Sequence, residues 1–273
     1  MPRSELIEVR GRRLTVLDLS QRLSNDTSEF EPNRHRIDYA DADDTAALTG
    51  RMFGVGPEVW PDGKGYCVET VTLSTHSGTH LDAPHHYGPA RGAWPARTID
   101  EVPLRWCVGD GVRLDMRHRR RGEGITRADV EAELDRIGHR LMPYDIVLLW
   151  TGASAFFEIP GYDRMHPGLR RDATEFLVDR GVRLIGIDAW GLDRPFDVMV
   201  AEARDGDTAQ LWESHILGRE KEYAQIEKLC NLERLPRSRG FTVIALPVKL
   251  ERASAGWARV VAVFEEPAAR LSA

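Results

Sequence analysis

Two short, almost wholly apolar runs, DIVLLW at 145–150 and VRLIGI at 182–187, each follow a segment of helical periodicity, and this alternation restricts the fold more than any other feature. A run of that length without a polar face fits a strand buried on both sides, and such strands belong to sheets covered by helices. The first helix carries its own limits: Thr126 and Asp129 are spaced as a capping box with Asp in place of the usual Glu, Val130, Leu134 and Ile137 form the apolar stripe, and Gly138 stops it. The second helix is expected over 170–180 and ends at Gly181. Further strands are expected at 13–19, 68–73, 111–116, 241–250 and 258–264, whereas 222–229 reads as helical. The class is α/β, a mixed sheet or barrel surrounded by helices.

No repeat, low-complexity tract or Pro/Ser linker divides the chain, so a single domain over 1–273 is expected, with one polar, loop-rich excursion at 24–61. Long ordered loops tend to carry function. No apolar stretch approaches the roughly 20 residues of a membrane span, and the first residues lack the apolar core of a signal peptide, so a cytoplasmic protein is expected, with no membrane partner. A net charge of −6 argues against nucleic acid as a partner. The basic run RHRRR at 117–121 lies between a strand and Gly122-Glu123-Gly124 and reads as a solvated loop. Cys67, Cys107 and Cys230 are too widely spaced for a disulfide framework or a cysteine zinc site.

The chemistry concentrates in HSGTHLDAPHHY at 76–87, where four histidines and a carboxylate share a short segment. Neutral imidazole nitrogen and carboxylate oxygen are ligands of Zn²⁺, and of Mn²⁺ or Fe²⁺ where more oxygen is present. His76, His80 and Asp82 suit that role. Gly78 permits a close backbone approach, and Pro84 argues for a rigid loop after a strand rather than a helix. Histidines gathered by chance, or a tract that scavenges metal, explain the segment less well, because Gly, Thr, Asp and Pro separate the histidines. His85 receives no role.

His76, Gly78, Thr79, His80, Asp82, Pro84 and His86 complete the pattern H-x-G-T-H-x-D-x-P-x-H, and on this pattern the chain resembles the cyclase/arylformamidase family of metal-dependent hydrolases. Stretches at 145–152, 184–188, 226–232 and 241–264 look similar to that family as well. The resemblance implies a compact β-barrel or sheet ringed by helices, of the swivelling β/β/α type, assembled as a homodimer or homotetramer. It also implies one or two divalent ions per chain, Zn²⁺ or Mn²⁺, held by His76, His80 and Asp82 with a late His and Glu, matched by His215 and Glu227 (227 − 215 = 12), while His86 serves as acid/base. Without the family, His215 and a Glu227 on a charged helix would read as solvated residues.

Members of the family hydrolyse aryl formamides, open isatin-like rings or close rings in aromatic polyketide assembly, so the resemblance implies a small-molecule substrate with an activated carbonyl. DTSEFEP at 26–32 stands where formamidases carry a Trp-Pro-Gly-type loop, and WGLDRPFDVM at 190–199 resembles the larger biosynthetic members. Phe30, Phe53 and Trp60 are candidates to line a different pocket, with core packing an equal alternative for each. The leading expectation is a ring-closing cyclase acting on an aromatic or polyketide-derived substrate. Arylformamidase or a related amide or lactam hydrolase is the alternative, and a non-catalytic metal-binding protein the third.

Overall fold

Both apolar runs are strands and lie side by side within one large sheet. The computed structural model describes residues 4–28, 34–90 and 95–265. Its strands are β1 (Ser4–Val9), β2 (Arg12–Asp18), β3 (Arg36–Ala40), β4 (Val68–Thr72), β5 (His80–Asp82), β6 (Val108–Asp115), β7 (Gly124–Ile125), β8 (Ile146–Trp150), β9 (Gly168–Leu169), β10 (Leu184–Ile187), β11 (Ala224–Glu227), β12 (Arg239–Ile244), β13 (Ala255–Trp257) and β14 (Val261–Glu265). The helices are α1 (Ala42–Phe53), α2 (Leu104–Cys107), α3 (Arg127–Ile137), α4 (Arg171–Asp179), α5 (Phe196–Arg204) and α6 (Glu213–Gly218).

Ten strands form a mixed sheet in the order β1-β2-β14-β12-β6-β8-β10-β11-β5-β13. From β6 to β11 neighbours run parallel, and the strands on either side of that block pair antiparallel. β10 is buried along its whole length and β8 up to Trp150, as their lack of a polar face requires. α3 begins at the expected box, where the Thr126 side chain accepts from the Asp129 N–H, and ends at Gly138 with φ 62°. The core joins Leu81, Ile146, Leu148, Leu184, Ile226 and Leu229.

Residues 222–229 are not helical. Ala224 and Ile226 enter the core while Gln225 and Glu227 point the other way, a period of two that β11 satisfies by pairing with β10. The strand expected at 241–250 ends at Ile244. The basic run is a loop in which Arg117, Arg119 and Arg121 pair with Asp115, Asp129 and Asp197.

Residues 23–74 form a compact unit of their own. The excursion expected at 24–61 contains β3, which pairs antiparallel with β4, and the 12-residue α1. The Asp-rich composition concealed a start signal: Asp41 caps α1 and Asp44 closes the box, while Gly54 ends the helix with φ 68°. β4 is exposed throughout. Among the described residues, no helix is long and apolar enough to cross a membrane.

Two predictions follow from the packing. A Cβ on Gly168 would lie 2.1 Å from the backbone carbon of Asp193 and 2.2 Å from the nitrogen of Arg194. Backbone cannot yield as a side chain does, so Gly168→Ala lowers the unfolding free energy by about 1–3 kcal/mol, measured by denaturant titration. At the end of β10, the buried Asp188 carboxylate accepts from Thr151 N (2.7 Å), Thr151 Oγ1 (2.6 Å) and Gly152 N (2.9 Å), and burial still pushes its pKa up to about 6. The unfolded chain therefore ionises first as pH rises. The stabilisation from this group is complete below about pH 4 and lost by about pH 6, a decline of about 3 kcal/mol that Asp188→Asn flattens when unfolding is followed against pH.

Candidate metal centre

β5 and β11 are antiparallel neighbours, with His80 opposite Glu227 and Asp82 opposite Gln225. Side chains alternate across a strand, so Leu81 and Ile226 enter the core while these four polar groups share the other face. His76 joins them from the turn before β5, where Gly78 adopts φ 62°, a backbone conformation that favours glycine.

His80 donates its Nδ1–H to the Gly78 carbonyl at 2.9 Å, which leaves the Nε2 lone pair facing the carboxylates. That nitrogen lies 3.2 Å from Asp82 Oδ1 and 3.6 Å from Glu227 Oε2, and His76 Nδ1 lies 2.8 Å from the same Asp82 oxygen. His80 Nε2 and Asp82 Oδ1 are both sealed from solvent, and their only close polar neighbours among the described residues are members of the same cluster. Gathering imidazole and carboxylate lone pairs away from water is costly in a protein interior. A divalent cation is the partner that suits converging imidazole and carboxylate donors, so the residues fit the group. The donor atoms of His76, His80 and Asp82 lie within 4.8 Å of one another, as do those of Asp82, His86 and His215.

His215 comes from α6. Its Nδ1 lies 2.5 Å from Asp193 Oδ2, and Asp193 also accepts from the backbone of Ser214 and His215, which turns Nε2 towards the cluster. Gln225 Nε2 links the set, 2.7 Å from His215 Nε2, 3.0 Å from Asp82 Oδ2 and 3.1 Å from Glu227 Oε1. The Leu192 N–H donates to Glu227, and Lys228 Nζ donates to the His76 carbonyl at 2.9 Å.

Burial opposes the ionisation of Asp82, but His86, His80 and the bond from His76 hold its pKa well below the usual carboxylate range. Glu227 is pushed up by burial and then by the charge of Asp82. Burial, helped by His215, His76 and His80 against the pull of Asp82, brings His86 down to about 4, so its imidazole is neutral at neutral pH.

The structure thus brings His76, His80, Asp82, His86, His215 and Glu227 together. His85 is exposed and outside both donor groups. Phe53 and Trp60 belong to the 23–74 unit, where Phe53 is 71% exposed and Trp60 sits 6.1 Å from the Tyr66 ring; Phe30 lies outside the described residues. Sequence reasoning missed Gln225 and Asp193. The first was detectable as the polar partner two residues before Glu227 once 224–227 is a strand. The second had no local signal.

A family model described as "Putative cyclase" matches residues 17–194. The chain belongs to this cyclase family of metal-dependent hydrolases. The kynurenine formamidase of Maricaulis maris is 30% identical over 219 residues, 80% of this chain and 88% of that protein. The kynurenine formamidase of Paracidovorax citrulli is 30% identical over 203 residues, covering 71% and 78%. A solved isatin hydrolase bound to the product analogue thioisatinate shares the fold, with a TM-score of 0.72 at 20% identity over 93% of each chain. His215 and Glu227 lie beyond the matched segment, and it is the tertiary structure of this enzyme that joins them to His80 and Asp82.

The donor geometry predicts that His80→Ala abolishes stoichiometric cation binding in elemental analysis. Asp193→Ala, which removes none of the clustered donors, weakens metal affinity by about 10–100-fold in a Zn²⁺ or Mn²⁺ titration.

Proposed function

We propose that the enzyme hydrolyses the C–N bond of a small aryl amide, either a linear formamide or a lactam, with Zn²⁺ or Mn²⁺ held by His76, His80 and Asp82 and assisted by His215 and Glu227. The observation that carries this reading is the convergence of the His76, His80 and Asp82 ligand atoms within 4.8 Å of one another, with His80 Nε2 and Asp82 Oδ1 sealed from solvent, beside a partly accessible His86. When bound, the cation activates water for attack and polarises the substrate carbonyl. His86, with its ring centroid 4.2 Å from that of His76, removes the proton from the attacking water and returns it to the leaving nitrogen. Asp82 is engaged by Gln225 and His76 and is the poorer base. Gln225 and Asp193 hold the donors in register and keep the His215 ring oriented.

Hydrolysis is favoured over the ring closure expected from the larger family members because both 30% identical relatives carry the name kynurenine formamidase. The two reactions share carbonyl activation and differ in whether water is the nucleophile.

N-formylkynurenine and isatin are the substrates to assay. His86→Ala and His86→Asn are each expected to retain the metal while lowering kcat by roughly 10²–10⁴, the usual contribution of a positioned acid/base. Metal lost together with activity would make His86 a ligand alongside Asp82 and His215. No turnover of either amide by fully metallated enzyme would overturn the hydrolytic reading.

A further inference from the structure

His76 is the most open of the three clustered residues in its segment, with 28% of its side chain exposed where those of His80 and Asp82 are sealed. It also lies outside the paired residues of β5, on the turn 76–79. A ligand on a turn needs an anchor that the sheet does not provide. Lys228, directly after β11, holds both ends of this one: its Nζ donates to the His76 carbonyl at 2.9 Å, and its own carbonyl accepts from Thr79 Oγ1 at 2.6 Å.

Lysine is an unfavourable residue for this position on two counts. It is 2% exposed, although lysine is almost never buried unless its charge is paired or hydrogen-bonded. It also has φ 59°, a left-handed backbone that asparagine or glycine adopts far more readily. The surroundings enforce that conformation, since the Lys228 N–H donates to the Ala189 carbonyl at 2.8 Å while the Lys228 carbonyl is held by Thr79. A neutral residue would make both backbone bonds with less strain. What the long cationic side chain adds is the bond to the His76 carbonyl. Nζ also stands 5.4 Å from the centre of the Trp190 ring, whose face attracts a cation and steadies the ammonium there.

We infer that Lys228 is a positioning residue of the metal centre, which fixes the 76–79 turn so that His76 Nδ1 already faces Asp82 when a cation enters. The inference rests on the metal-binding part of the proposed function and uses none of its substrate chemistry. A purely electrostatic role has the opposite sign, because an ammonium repels a divalent cation and its loss would tighten binding.

The test uses the full chain, stripped of metal with a chelator and titrated with Zn²⁺. Lys228→Met keeps most of the length and shape of the side chain and removes its N–H donors, and its Zn²⁺ affinity is expected to fall about 10-fold. At saturating Co²⁺, whose visible spectrum reports ligand geometry, the variant should depart from wild type in the direction of His76→Ala, which a general loosening of the fold would not produce. Should Lys228→Met not fold, Lys228→Gln, one bond too short for the His76 carbonyl, carries the same expectations. Unchanged or tighter Zn²⁺ binding, or weaker binding with a wild-type Co²⁺ spectrum, overturns the assignment. If the wild-type chain binds neither ion, the metal-centre reading itself fails, and hydrogen exchange then decides on Lys228. Faster exchange confined to the 76–79 amides in Lys228→Met upholds the anchor, and unchanged or uniformly faster exchange removes it.

Discussion

Asp82 places an ionised carboxylate, fully screened from water, against His76, His80 and Gln225. A buried charge without partners costs several kcal/mol, and the elements around the site are arranged to supply those partners. The short strand β5 presents His80 and Asp82 on one face while Leu81 anchors the other in the core. Because the strand is pinned by β11 on one side and β13 on the other, neither group can swing out to solvent to relieve the burial. The remaining relief is local: Gln225 donates from the neighbouring strand, and the ligand atoms of His76, His80 and Asp82 stand close enough together to hold a divalent cation that would complete the balance.

The second half of the centre depends on a loop packed against glycine. Gly168 lets the backbone at Asp193 approach β9 more closely than any side chain would allow, and Asp193 in turn orients His215. A carboxylate that fixes a histidine tautomer and heading is the usual support of a metal ligand. The absence of a Cβ in the interior is thus transmitted through one carboxylate to an imidazole of the donor cluster. The stack of Trp212 on that imidazole extends the same chain of contacts towards the surface.

Much of this was legible in the residues. The helix over Arg127–Ile137 declared both ends through Thr126, Asp129 and Gly138, and the buried strands declared themselves by lacking a polar face. Residues 222–229 misled because their charge suggested a solvated helix, whereas the period of two in Ala224–Glu227 was the stronger signal once β10 offered a parallel partner. The Asp-rich start of α1 reads as loop from sequence because Asp41 and Asp44 are also common turn residues, and what separates cap from turn is the backbone geometry that follows.

By itself, the sequence determined that the polar atoms of His76, His80 and Asp82 converge, because the three residues are close in the chain and need only a turn and a short strand to meet. Local spacing is sufficient information for local geometry. Only the tertiary structure decided that Glu227 faces His80 and Gln225 faces Asp82, since that depends on the register of two strands far apart in the chain. It also decided that Asp193 steers His215, because such contacts come from packing across the fold and leave no periodic trace in the residues themselves.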